Sequence, residues 1–143
     1  MLTVLIILYL LGIAYACLEG IKEAWLFYYK YPNTFHKDGK DLHPLFVFQR
    51  GIVLLVIVVP SLLVFNIWTV VFLSMAFILY FPFFHDGSLY VKWDNLNGSK
   101  PKRWKDGSAR PTPLEFNYSE RCWMFVCSIA CFTASILITL LSV

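Results

Sequence analysis

The chain has 143 residues, of which 59% are hydrophobic and 15% charged, with a formal net charge of +3. A soluble domain ordinarily carries roughly 25% charged residues, so this balance excludes an ordinary water-soluble domain and points to a bilayer. At this length the chain is a single domain.

The first apolar run, residues 2–18, is long enough to cross a bilayer, for which about 17–25 residues suffice. Ala14-Tyr15-Ala16 resembles a small-residue cleavage site, but no Lys or Arg precedes the apolar stretch, so a retained helix is expected. The segment LEGIKEAWLFYYKYPN keeps apolar residues at helical spacing until Pro32-Asn33, extending this helix to residue 31. Trp25, Phe27, Tyr28, Tyr29 and Tyr31 suit the membrane interface, where a ring buries its face and wets its polar tip. Gly12, Ala16 and Gly20 recur every four residues and would let a second backbone approach closely. Glu19 and Glu23 continue nearly the same face. Two readings follow: an internal packing seam whose acids pair with Arg50 or Arg121, or an acidic ring at the mouth of an oligomeric cation pathway.

The second run, residues 51–84, carries no formal charge and is too long for one crossing. Asn66, preceded by Pro60 and Ser61, predicts a tight hairpin, with spans at 45–65 and 67–84. A last span covers 121–143. Its residues Cys127, Cys131, Ser135 and Thr139 form a small, weakly polar ladder at a spacing of four, with Ala130 and Ala134 alongside; such a ladder wants a close neighbour or water, that is, packing or a pore lining. Cys17, Cys122, Cys127 and Cys131 lack a CxxC spacing and read as small reduced residues. The expected fold is therefore an all-α integral membrane protein with four transmembrane helices. All twelve basic residues fall in 19–50 or 85–121, with polar loops at 32–44 and 85–120. The positive-inside rule makes both loops cytoplasmic and puts both termini outside, in a bacterial inner membrane.

Three Asp-Gly pieces, Lys37-Asp38-Gly39, His85-Asp86-Gly87 and Lys105-Asp106-Gly107, predict turns, and SLYVKW at 88–93 alternates as a short strand would. His36, Asp38, Asp41 and His43, with His85 and Asp86, are acceptable metal-ligand types, but their spacing fits no metal signature, and neither a metal nor a cofactor is expected. His85 beside Asp86 could act as a general base, and Ser88 or Ser108 as nucleophiles, although no GxSxG, HExxH or P-loop pattern accompanies them. A membrane-embedded hydrolase or transferase acting on lipid or phosphate groups is the alternative class, and a scaffold for a partner protein a third. The basic and aromatic residues of the second loop point to an anion: Lys100, Lys102, Arg103, Lys105 and Arg110 would meet phosphate, while Trp93 and Trp104 would stack on bases. The same residues suit anionic lipid headgroups, at about 1 kcal/mol per nearby basic residue.

The four spans, the Gly12/Ala16/Gly20 and Cys127/Cys131/Ser135/Thr139 stripes, and the loop KPKRWKDGSAR together resemble the small multi-span membrane effectors of bacterial anti-phage defence. The resemblance is one of architecture. It implies a homo-oligomeric inner-membrane effector, an ion channel or pore gated by a nucleotide or oligonucleotide bound to the cytoplasmic loops, with the bilayer itself as the other partner.

Overall fold

The computed structural model describes residues 1–29, 43–98 and 116–142. Among them every regular element is helical: α1 (Leu2–Tyr29), α2 (His43–Ser61), α3 (Ile67–Leu96) and α4 (Tyr118–Leu141). α1, α3 and α4 are long and apolar enough to cross a membrane, and the apolar part of α2, Val47–Ser61, is shorter.

α3 is the central helix, and α1 and α4 pack along it. At one end Leu5 of α1 packs with Val70 and Leu73 of α3 and with Phe65 of the preceding turn. At the other end Ala24 packs with Leu89, Tyr90 and Trp93. α1 and α3 therefore run parallel. Thr139 of α4 meets Thr69 near the start of α3, and Arg121 meets Asp86 far along it, so α4 is antiparallel. The bundle thus has one end formed by the turn at 62–66 and another to which the connections 30–42 and 99–115 attach.

The α1–α3 contact is close because α1 offers almost no side chain there. A Cβ on Gly12 would overlap the Tyr80 hydroxyl, and one on Gly20 would overlap the main-chain carbonyl oxygen of His85 and stand 3.0 Å from the Leu89 nitrogen. With lipid removing most of the hydrophobic drive between helices, such small-residue contacts supply the packing. Between the glycines, Ala16 packs with Phe77, Tyr80 and Phe81. Tyr9 stacks on Phe132 of α4 with ring centroids 4.0 Å apart and meets Tyr80 edge-on at 5.1 Å. The Tyr9 and Ser128 hydroxyls lie 3.2 Å apart.

α2 is attached differently. No described residue from Val47 to Pro60 is fully buried, and Val47, Phe48, Ile52, Leu55, Val56 and Val59 are exposed. Its inner face, at Leu54, Ile57 and Val58, packs against the core clusters of α1 and α3, beside a small apolar crevice that Ser61, Tyr9, Leu73 and Tyr80 also line. α2 ends where the Ser61 hydroxyl donates back to the Ile57 carbonyl, and α3 starts where the Asn66 side chain accepts from the Trp68 nitrogen, an N-cap.

Two local expectations are corrected. α3 continues past residue 84 to Leu96, so His85-Asp86-Gly87 is not a turn and 88–93 is not a strand. The reason is packing: Phe81, His85, Leu89 and Trp93 recur every four residues and are all buried. That helical period overrides both the short alternation of SLYVKW and the cost of a helical Gly87, about 1 kcal/mol relative to Ala. The other two Asp-Gly pieces, and His36, Asp38 and Asp41, lie outside the described residues.

Candidate functional site: a buried ionic cluster

Where the bundle nears its loop-bearing end, all four helices contribute charge to one place. Glu19 and Glu23 lie one turn apart on α1, His85 and Asp86 are adjacent on α3, Arg50 comes from α2 and Arg121 from α4. Glu19, Glu23 and His85 are each 3% exposed and Arg121 is 1% exposed. Arg50 and Asp86 are the outer members, their side chains 23% and 27% exposed.

Arg50 bridges both acids. Its Nε donates to Glu19 Oε1 at 2.8 Å and its Nη2 to Glu23 Oε1 at 2.7 Å. Nη2 also lies 3.0 Å from His85 Nε2, and the guanidinium sits over the Phe81 ring, 4.8 Å from its centroid. His85 stacks on Phe81 at 5.1 Å. On its other side, His85 Nδ1 is 2.9 Å from Asp86 Oδ1, and Arg121 Nη1 donates to Asp86 Oδ2 at 3.2 Å. Arg121 also approaches the face of Tyr90, 5.6 Å from its centroid.

The helix framework explains why these groups meet. Gly20 allows α1 to touch the α3 backbone at His85, which carries Glu19 and Glu23 to the His85 side chain. A capping box orients the start of α4: the Asn117 side chain accepts from the Glu120 nitrogen at 2.9 Å, and Glu120 accepts from the Asn117 nitrogen at 2.7 Å, placing Arg121 in the first turn.

Two features make the cluster chemically poised. Three carboxylates face two guanidinium groups, so with a neutral His85 the described charges leave one negative charge in excess in a buried place. His85 Nε2 also stands 3.2 Å from Glu23 Oε1 as well as 3.0 Å from Arg50 Nη2. A guanidinium only donates and a carboxylate only accepts. Unprotonated, Nε2 satisfies Arg50 and faces an acceptor; protonated, it satisfies Glu23 and faces a donor. Glu19 Oε2 is buried and makes no hydrogen bond of acceptable geometry, although the Tyr15 hydroxyl is a neighbour of Glu19.

The structure gathers the residues singled out in the sequence unevenly. Gly12, Ala16, Glu19, Gly20 and Glu23 all face into the bundle, where Tyr80, Phe77, the α3 backbone and Arg50 fill the space against them. Of the α4 ladder, Ser135 and Thr139 are buried, Cys131 is half-buried and Cys127 is exposed. A spacing of four drifts by about 40° per step around a helix, so the ladder winds off the contact face. The buried line is instead Arg121, Ser128 and Ser135, seven apart, a spacing that drifts only about 20°. Trp93 lies inside the α1–α3 seam, 8% exposed, with Tyr28 edge-on at 6.0 Å. Lys100, Lys102, Arg103, Trp104, Lys105 and Arg110 lie outside the described residues.

No family model, curated protein or solved structure matches this chain. What fold and site define is a class: a protein whose described residues form three helices of membrane-crossing length and composition and a shorter apolar fourth, tied together by a buried ionic cluster.

Proposed function

We propose that the protein is a four-span inner-membrane effector whose polar segments lie in the cytoplasm and receive an anionic ligand, a nucleotide or oligonucleotide. Ligand binding is transmitted to the bundle through the ionic cluster and opens a path for ions. One observation carries the reading: the two cations of the cluster stand on the two helices that the polar segments lead into. Segment 30–42 runs into α2, whose Arg50 comes two turns later, and segment 99–115 runs into α4, whose Arg121 is in the first turn. A ligand that pulls on either segment therefore acts directly on the groups that neutralise Glu19, Glu23 and Asp86. Ionisable groups buried between membrane helices ordinarily mark such working sites.

α2 supports the reading as the moving part, because none of its described side chains from Val47 to Pro60 is fully buried and its polar ties to α1 and α3 are those of Arg50 and Gln49. Its exposed apolar face suits lipid or, in a homo-oligomer, a second copy. Because Gly12, Ala16 and Gly20 are occupied within one chain, we place the conducting path along α2, where Glu19 and Glu23 become accessible once Arg50 leaves.

The test is ion flux from proteoliposomes at two salt concentrations, with candidate nucleotides and oligonucleotides added to the loop side. Ligand-dependent flux that is lost when Lys102, Arg103 and Lys105 are neutralised supports the proposal. Saturable binding should weaken in the same variant, with a flatter salt dependence, since fewer counterions are released. Neither flux nor saturable binding at low salt overturns it. The His85–Asp86 contact favours a second reading, a general base in a membrane-embedded hydrolase or transferase acting on lipid or phosphate groups. Turnover of such substrates that is abolished by His85→Asn, without any flux, would select it.

A further inference from the structure

We infer that Glu19, Glu23 and His85 form a divalent transition-metal site whose place is held, in the metal-free protein, by the Arg50 guanidinium. The inference does not rest on the effector reading; it concerns only the chemistry of the α1–α3 seam.

The ligand set comes first. Each of the three residues offers one ligand atom, all within 4.8 Å of one another, and all three residues are buried. One imidazole with two carboxylates is a donor set that suits Zn²⁺, Mn²⁺ or Co²⁺. Metal-binding histidines ordinarily give their other ring nitrogen to a carboxylate, and here His85 Nδ1 lies 2.9 Å from Asp86 Oδ1. When His85 donates from Nδ1 to Asp86 and is otherwise unprotonated, its Nε2 lone pair is left for a metal.

The spacing comes second. His85 Nε2 and Glu23 Oε1 are 3.2 Å apart. Two ligand atoms on one zinc ion, at about 2.0–2.2 Å each, stand roughly 2.9 Å apart at a right angle and roughly 3.4 Å apart at a tetrahedral angle. With Nε2 unprotonated, these are two acceptors at that separation, which a cation between or beside them would join, and Arg50 Nη2 now lies 3.0 and 2.7 Å from them. Glu19 Oε2 is a buried oxygen with no hydrogen bond of acceptable geometry, in a side chain 1% exposed, and it is the further donor a metal would take.

Charge and access agree with this. Glu19 and Glu23 carry two formal negative charges, the charge that a divalent ion matches. Arg50 is partly exposed, its side chain 23%, and stands on the least packed helix, so it can withdraw without dismantling the α1–α3 seam.

The probe is Co²⁺ titrated into the full chain in nanodiscs, followed by its visible absorption, with Zn²⁺ as competitor. A spin-label pair on α2 and α3 reports whether α2 moves. We expect one saturable ion per chain, displaced by Zn²⁺, with the α2–α3 distance changing on binding. Arg50→Gln should bind roughly tenfold tighter or more, because a cation that repels the metal has gone, and its α2–α3 distance should respond less. Glu23→Gln and His85→Asn should each weaken binding at least about tenfold, the scale on which even outer-shell partners of a metal matter, while Glu120→Gln leaves it unchanged. Circular dichroism separates loss of the site from loss of the fold, and Glu19→Gln provides a second, isosteric probe where another variant fails to fold. Absence of saturable binding in both wild type and Arg50→Gln overturns the inference, as does binding that Glu23→Gln and His85→Asn leave intact.

Discussion

Replacing Gly20 by Ala tests whether the small-residue face of α1 is internal to one chain. The new Cβ would overlap the His85 carbonyl oxygen and lie 3.0 and 3.1 Å from the Leu89 nitrogen and the His85 carbonyl carbon. All three are main-chain atoms of α3, so no rotamer change relieves the contact and the helices must separate. Forcing one methyl group into a packed interface costs about 1–3 kcal/mol, and rigid neighbours push toward the upper end. Against this, Ala favours a helix over Gly by about 1 kcal/mol, leaving a net loss of roughly 1–2 kcal/mol. Gly51 is the matched control: it is helical and a Cβ there meets nothing within 4 Å, so Gly51→Ala should be neutral or stabilising by up to about 1 kcal/mol. Gly12→Ala should fall between, because the atoms it meets belong to the Tyr80 and Phe77 side chains, which can shift. The assay is reversible unfolding in mild detergent, with particle mass measured alongside. If Gly20→Ala is as stable as Gly51→Ala, or halves the particle mass while leaving the unfolding transition in place, the face belongs to a contact between chains and the reasoning fails.

Thr69 and Thr139 share a buried hydrogen bond of 3.1 Å between α3 and α4. A double-mutant cycle with Thr69→Val and Thr139→Val should give a coupling of about 0.6 kcal/mol, the average for such bonds between membrane helices, and a cycle indistinguishable from zero would deny the contact. Asn117→Ala removes the side-chain acceptor of the Glu120 nitrogen, leaves the main-chain donor to Glu120 in place, and should cost about 1 kcal/mol. Amide exchange should then quicken at 118–121 and not along α3; unchanged protection at the start of α4 would count against the cap.

The helical architecture was legible because the apolar runs are long and unmistakable, and the Asn66 turn because a polar side chain interrupts an otherwise chargeless stretch. The far half of α3 was hidden by local signals that point elsewhere. Asp86-Gly87 carries turn chemistry and SLYVKW alternates over six residues, yet both yield to a buried face that recurs every four residues and has Ala24 and Tyr28 of α1 to pack against. The ionic cluster was half visible. Glu19 and Glu23 on the small-residue face, with Arg50 and Arg121 as the candidate cations, could be read from spacing. His85 could not be joined to them, since its place depends on α1 and α3 running parallel in a register that Gly20 permits. On α4 a four-residue ladder drew attention to Cys127, whereas the seven-residue line through Ser128 holds the contact, because only the latter stays on one face over four turns.

The distribution of charge over the helices has a mechanical consequence. Glu19, Glu23 and Asp86 all lie on α1 and α3, which pack closely against each other, while the compensating Arg50 and Arg121 lie on α2 and α4. Like charges on the inner pair oppose its close approach unless the outer helices are in place, so the outer helices act as counterions as well as packing partners. Their dependence on that role differs. α4 has a long seam with α3 that includes Thr139 against Thr69 at 3.1 Å and Phe125 stacked on Phe83 at 4.8 Å, so weakening Arg121 leaves most of its attachment. Among its described side chains α2 has Ser61, a few half-buried aliphatic residues, Gln49, which donates to the Tyr15 hydroxyl at 3.5 Å, and Arg50. Breaking a buried ion pair costs about 3–5 kcal/mol, less here because Arg50 is partly exposed, and even the reduced figure is large beside what α2 buries. Whatever changes the partners of Arg50, whether a proton on His85, a metal ion or tension from segment 30–42, therefore moves α2 first and leaves the three longer helices assembled.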